Sequence, residues 1–243
     1  MSRPLFRLDP LPEDEVVVLA GPEGRHAGTV RRLRAGEQLR LTDGRGRYRD
    51  GEVIRTGRAE LQVRAGPQRS QPAPDPRVVV FQALAKGDRG ERAVELLTEL
   101  GVDEVVPWAA ARSVVQWRDE RVAKSIERWR RTAAEASKQS RRVWWPAVAE
   151  PATTDAVAER LRVAAAAFVL HEDAEHPLCA AALPAAGEIV LVVGPEGGVA
   201  PEELAGFAAA GAVAVRLGTP VLRTSTAGAA AVAALSVRLG RWN

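Results

Sequence analysis

The residues best suited to binding chemistry lie in two short runs near the C-terminus. Ile189–Val193 is apolar and leads into Gly194-Pro195-Glu196-Gly197-Gly198; Leu217-Gly218-Thr219-Pro220-Val221-Leu222-Arg223-Thr224-Ser225-Thr226-Ala227 opens onto an Ala-rich stretch. Each reads as a buried strand, a Gly or Pro turn, and then a helix. Loops at the carboxyl ends of strands in an open α/β sheet are where ligands bind. Both runs are poor in ionisable side chains, so they predict a pocket that reads its ligand with backbone N–H and C=O groups, which points to a cofactor. Neither the Lys-Ser/Thr of a phosphate loop nor the G-x-G-x-x-G dinucleotide spacing is present. The glycines at 194–198 are expected instead to let a flat ring approach the backbone. Thr224, Ser225 and Thr226 are candidate N-caps. Arg223 is the strong cation of this neighbourhood, suited to an anionic substrate or a cofactor carboxylate.

Other chemistries find little support. His26, His171 and His176 do not cluster, and His171-Glu172-Asp173 is too local for a metal set, so no metal is expected. There is no G-x-S-x-G elbow. The single cysteine, Cys179, excludes an intramolecular disulfide. The start has no signal-peptide core and no stretch is long enough to span a membrane, so a cytoplasmic protein is expected. Of the tryptophans at 108, 117, 129, 144, 145 and 242, most read as core; Trp144 and Trp145, beside Arg141 and Arg142, are the candidates for stacking on RNA bases.

The elements that must position these runs fall into two parts. Residues 1–66 read as a small β-rich domain, with strands at 16–19, 38–42, 48–55 and 59–63 and a basic helix over 22–34. Residues 67–76 are Pro-rich and read as a semi-extended linker. From 77 to 243, strands alternate with helices, which predicts α/β with a mainly parallel sheet. Strands are expected at 78–81, 104–108, 165–170, 188–193 and 213–217. Helices are expected from Asp88 as N-cap to Gly101, over 118–142, over 201–210 and over about 226–238. The last helix is built almost wholly from small residues, which fits a crowded site or a subunit interface.

Charge is unevenly placed. The net charge is +3, yet residues 112–142 hold ten Lys and Arg against four Asp and Glu, whereas 143–243 hold six against ten. Positive charge therefore sits in the first domain and one middle helix, the footprint of a polyanion-binding surface beside a separate site. Arg outnumbers Lys by 31 to 3, a bias that a GC-rich genome produces on its own; it does not account for where the charge lies.

Together these residues resemble the ribosomal RNA small subunit methyltransferase E family. The resemblance rests on the Gly-Pro-Glu-Gly-Gly run with Leu217-Gly218 and Val221–Thr224; on His26, Val30 and Arg32; on Lys86–Glu91 and Thr98–Val102; and on Gln139, Arg142 and Pro146. It implies a SPOUT-class, trefoil-knotted catalytic domain, a PUA-like RNA-binding N-terminal domain and a homodimer. It also implies S-adenosylmethionine-dependent methylation of uridine N3 in 16S rRNA of the small ribosomal subunit. Carried onto this chain, Leu170, His171, Gly194, Pro195, Glu196, Gly197, Gly198, Leu217, Gly218, Leu222, Thr224, Ser225, Thr226 and Ala227 would hold the cofactor. Arg223 would be catalytic, and Arg7, His26, Arg32, Lys86, Arg89, Arg112, Lys138, Gln139 and Arg142 would meet RNA. Ser225 and Pro220 stand where the family commonly has an acidic and a basic residue, Lys138 where it has an acidic one, and Arg31 where it has an apolar one. Three readings stay open beside this one: another RNA target such as a tRNA ribose hydroxyl, a non-catalytic RNA-binding or assembly factor, and a metabolic enzyme.

Overall fold

Period-two alternation builds the first sheet. In the computed structural model, which describes residues 3–57 and 59–242, strands β1 (Leu5–Arg7), β2 (Val16–Leu19), β3 (Gln38–Thr42), β4 (Arg47–Thr56), β5 (Leu61–Ala65) and β6 (Arg69–Ser70) form one sheet. Its order is β1-β3-β4-β5-β2, with β6 on β4. All pairs are antiparallel except β1 with β3. The inward residues Phe6, Leu19, Leu39, Leu41, Val53, Leu61 and Val63 form its core, as expected when every second side chain points to one face. Met1, Ser2, Arg58 and Asn243, inside the expected domains, lie outside the described residues.

Three expectations for this region change. The helix placed over 22–34 is only α1 (Gly21–Arg25) running into a π turn at His26–Val30, and Arg32 then adopts φ +53°. The segment taken as a linker pairs Arg69 and Ser70 with Tyr48 and Arg47. Residues 137–145 group with 1–73 as one compact unit, the remainder forming the second. The reason is visible in the packing: Trp144 lies where a Cβ on Gly46 would come within 2.5 Å, and its indole N–H donates to Gln71 O. Trp145 covers Gly44 in the same way, so these two rings serve the fold of this unit.

The second unit is the α/β domain. In chain order come β7 (Arg77–Ala83), α2 (Arg89–Glu99), β8 (Glu104–Trp108), α3 (Glu120–Gln139, whose residues from Ser137 on group with the first unit), β9 (Ala147–Val148), α4 (Thr154–Val163), β10 (Ala166–Leu170), β11 (His176–Pro177), β12 (Glu188–Val193), α5 (Pro201–Ala209), β13 (Val213–Arg216) and α6 (Thr224–Arg238). The sheet runs β11-β13-β10-β12-β7-β8-β9 and every pairing is parallel. A parallel sheet is covered on both faces, and the two cores divide by strand parity. Val78 and Val80 pack with Leu97, Trp129, Val232 and Leu235, whereas Val79 and Phe81 pack with Trp108, Val157, Leu161 and Phe207. No helix among the described residues is long and apolar enough to cross a membrane.

The small side chains of α6 are used inside this unit. A Cβ on Gly228 would stand 3.2 Å from Val193 and 3.3 Å from Leu97, and Ala229, Ala231 and Val232 are buried. The unexpected α4 is capped by Thr153, whose hydroxyl accepts from Ala156 N–H. Asp88 does occupy the N-cap of α2, but its side chain makes no capping bond.

Candidate cofactor cleft

Strands β10, β12 and β13 are adjacent, and their carboxyl ends deliver Leu170, Val193 and Arg216 to one edge of the sheet. The loops that follow line a cleft that is open to solvent. Of the residues expected to hold a cofactor, ten line it: Leu170, His171, Gly194, Pro195, Gly198, Leu217, Gly218, Leu222, Thr224 and Ala227. Glu172, Val199, Thr219, Pro220 and Val221 join them. Gly218, Thr219, Val221 and Leu222 make no backbone–backbone hydrogen bond among the described residues, which leaves their peptide groups available to a ligand.

Glu196, Gly197, Ser225 and Thr226 do not line the cleft. The Glu196 carboxylate turns to the loop after β7, accepting from Lys86 N–H at 3.1 Å and from Arg89 at 2.9 Å. Burial opposes its ionisation, but the backbone N–H groups of Glu196 and Lys86 and the Arg89 guanidinium outweigh that and hold it below the usual carboxylate range. Gly197 O accepts from Arg112 at 3.1 Å. The glycines of this turn answer internal needs first. Gly198 has φ +72°, and a Cβ on Gly194 would strike Val199 at 2.9 Å. Gly218 differs, since a Cβ there would meet only Pro220, at 3.7 Å.

The hydroxyl expected as a helix cap does other work. The N-cap of α6 is Arg223, without a side-chain capping bond. Thr224 instead donates to Gly194 O at 2.7 Å and accepts from Gln82 Nε2 at 2.9 Å. Gln82 is wholly buried and its Oε1 has no donor among the described residues. This relay joins β7, the turn after β12 and the start of α6. The sequence held a signal for it, a lone amide at the end of the apolar run 78–84, but periodicity counts such a residue only as an interruption. Glu203 was also missed. It is 6% exposed and accepts from Ala111 N–H, Thr154 Oγ1 and Ala200 N–H at 2.8, 2.9 and 3.1 Å, fixing the loop that carries Arg112.

Arg223 is exposed at the start of α6. The nine residues expected to meet RNA divide between the units. Lys86, Arg89 and Arg112 lie on the second, bonded to the Gly194–Gly198 turn. In the first, Arg7 spans Asp9 and Asp43 O and stands 4.9 Å over the Trp145 ring. His26 packs edge-on against Phe6 at 5.9 Å, and Arg32 and Gln139 are exposed. Arg142 O accepts from the Trp145 indole N–H at 2.9 Å. Lys138 is 12% exposed and sits 2.5 Å from Glu23, so its ammonium is committed to an ion pair. Among the described residues no group of three or more His, Cys, Asp or Glu side chains is arranged to hold a metal.

A family model for the RNA methyltransferase PUA domain matches residues 19–65, and one for the RNA methyltransferase domain matches 71–236. A ribosomal RNA small subunit methyltransferase E from Mycobacterium bovis is 48% identical over 98% of this chain and 93% of its own length. That of Synechocystis is 30% identical over 96% and 78%. The crystal structure of a ribosomal RNA small subunit methyltransferase E from Neisseria gonorrhoeae bound to S-adenosyl methionine superposes with a TM-score of 0.83, at 27% identity, over 98% of both chains. On these matches, the chain belongs to the ribosomal RNA small subunit methyltransferase E family.

Proposed function

We propose that the protein is an S-adenosylmethionine-dependent methyltransferase acting on N3 of one uridine in 16S rRNA, within the small ribosomal subunit, as a cytoplasmic homodimer with a trefoil-knotted C-terminal domain. The observation that carries the reading is the cleft at the ends of β10, β12 and β13, walled mainly by apolar side chains and unpaired backbone, with His171, Glu172 and Arg216 as its ionisable residues. Its donor set fits the cofactor. Leu170, Leu217, Leu222 and Ala227 offer apolar surface to an adenine ring, and the peptide groups of 218–222 offer partners to its edge. When bound, the cofactor supplies an already activated methyl group, so the protein contributes mainly orientation and electrostatics.

Uridine N3 is a poor nucleophile until it loses its proton. In this reading Arg223, which does not itself line the cleft but stands in the chain between the lining residues Leu222 and Thr224, stabilises with its guanidinium the charge that then develops on O2 or O4. Because N3 lies on the base-pairing edge, the uridine enters unpaired or flipped out of its helix. Arg7, Arg32 and Arg142 in the first unit hold RNA phosphates, which makes binding strongly salt-dependent.

The test is incubation with labelled S-adenosylmethionine and small subunits from a strain lacking the enzyme, followed by nucleoside mass spectrometry. 3-Methyluridine at one site is expected, and Arg223→Ala should reduce turnover by about 100-fold while still binding the cofactor. A different methylated nucleoside would overturn the N3 assignment, and unchanged turnover of the variant would remove Arg223 from the chemistry.

A further inference from the structure

A second cleft is lined in part by the loop that holds Glu196. It has a volume of about 210 Å³ and lies between the loop after β7, the start of α2, the segment after β8 and the first half of α3. Its floor is the buried Trp129, which packs so closely on Gly90 that a Cβ there would meet the indole at 3.0 Å. Trp117, half-buried, lines the cavity and stands edge-on to Trp129, with ring centroids 5.1 Å apart and planes at 81°. An immobile ring thus braces a partly exposed one.

The polar groups around the ring have a definite chemistry. Arg121 and Arg128 line the cleft with Gln116. Arg128 pairs with Glu91 at 3.2 Å, so the one carboxylate on the lining is already neutralised. No side-chain hydrogen bond or ion pair engages Arg121 among the described residues. An aromatic wall with a guanidinium not otherwise committed and an amide within the same cavity suits a flat heterocycle joined to a phosphate. The cleft is also next to the cofactor turn: Ala85 and Gly87 line it, and Lys86 between them donates its N–H to Glu196.

We propose that this cleft is a nucleotide subsite, taking one unpaired nucleotide of the substrate RNA with its base stacked on Trp117 and its phosphate on Arg121. The inference rests on the reading that the substrate is RNA, and it adds a residue-level source of substrate choice away from the methyl-transfer site. The nucleotide held here flanks the one offered to the cofactor, so the subsite favours targets whose neighbouring base is free of pairing.

The experiment measures two quantities on the full chain: binding of a fluorescein-labelled short single-stranded RNA, and methyl transfer to unmethylated 16S rRNA. Trp117→Ala should weaken single-stranded RNA binding about tenfold. Trp117→Phe should keep most of the affinity, and affinity for duplex RNA and for S-adenosylmethionine should stay unchanged. Arg121→Ala, on an exposed position, should weaken binding and lower the slope of log affinity against log salt by about one. Because Trp117 leans on Trp129, thermal unfolding accompanies each variant, and if Trp117→Ala unfolds, Trp117→Phe and Arg121→Ala decide. Unchanged single-stranded RNA affinity in both Trp117→Ala and Arg121→Ala, or in Arg121→Ala alone where Trp117→Ala is unfolded, overturns the subsite. Wild-type protein that binds the RNA but transfers no methyl group overturns the proposed activity and leaves the subsite standing.

Discussion

Thr224→Val isolates the relay between β7, the cofactor turn and α6. The substitution keeps the branched shape and removes the hydroxyl that accepts from Gln82 Nε2 at 2.9 Å and donates to Gly194 O at 2.7 Å. Gln82 is 0% exposed and its Oε1 already lacks a donor among the described residues. After the substitution Nε2 retains only the long contacts to Ala83 O and Thr224 O, at 3.4 and 3.5 Å. A buried donor left unsatisfied costs about 1–3 kcal/mol. Gly194 O lies on the cleft wall, where water replaces the lost bond at smaller cost. The variant should therefore lose about 2–3 kcal/mol of stability.

Urea unfolding measures this, fitted separately for the two compact units because they need not unfold together. Thr224→Ser keeps the hydroxyl and should lose only about 1 kcal/mol, for one methyl group. Gln82→Leu combined with Thr224→Val removes both partners, and its cost should fall short of the sum of the single variants by at least about 1 kcal/mol. A Thr224→Val protein within about 0.5 kcal/mol of wild type, or a strictly additive pair, would refute the reasoning that this relay holds the cofactor turn.

Three further outcomes follow from particular contacts. Gly218→Ala should leave stability unchanged, since the added Cβ meets only Pro220 at 3.7 Å, yet it should lower S-adenosylmethionine affinity about tenfold, or 1.4 kcal/mol; calorimetry showing normal affinity would take Gly218 out of the ligand's path. The Glu196 carboxyl titrates below its ordinary value of 4.5 because the folded state favours its charged form. The tie it makes to Lys86 and Arg89 is therefore complete above about pH 4.5 and is lost as pH falls through the lower folded-state value. Thermal melts should show wild type losing more stability than Glu196→Gln on acidification below that point, and parallel curves would refute it. Lys138→Glu sets a second carboxylate against Glu23 and should destabilise the first unit by about 2–3 kcal/mol. Adding Glu23→Lys should restore most of that but not the bond from Arg7 N–H to Glu23, at 3.2 Å; a double variant no better than the single would show that the pair contributes nothing.

Much of this molecule was legible in its residues because the parallel strands are uninterrupted apolar runs. Val78–Phe81, Glu104–Trp108 and Glu188–Val193 were found as strands, and the turns that end them located the cleft. The two-residue strands β6, β9 and β11 were not found, since two residues show no period. The helix over 22–34 was overextended because basic residues at helical spacing do not report that Arg32 turns to φ +53°. Thr224 was found as a cap candidate but misread in role: a helix start looks the same in sequence whether its hydroxyl turns to its own N–H groups or to a carbonyl thirty residues away. Gln82 and Glu203 went unseen for a related reason. Their partners are 142, 92 and 49 positions distant, and no local pattern records them.

Sequence reasoning sorted the charged residues of the second unit into those expected to hold cofactor and those expected to hold RNA, and contacts join the two sets. Lys86 and Arg89, expected on RNA, bind Glu196, expected on the cofactor, and Arg112 binds Gly197 O. The Gly194–Gly198 turn therefore presents backbone to the cleft while its outer surface is held by the same loops that line the second cavity. Arg89 and Arg112 each lend a guanidinium to this turn, and a phosphate approaching either one competes with Glu196 or with Gly197 O for it. If RNA bound at these loops shifts the turn, it changes the affinity of cofactor in the cleft, and cofactor then changes the affinity for RNA by the same factor, since coupling between two binding equilibria is reciprocal.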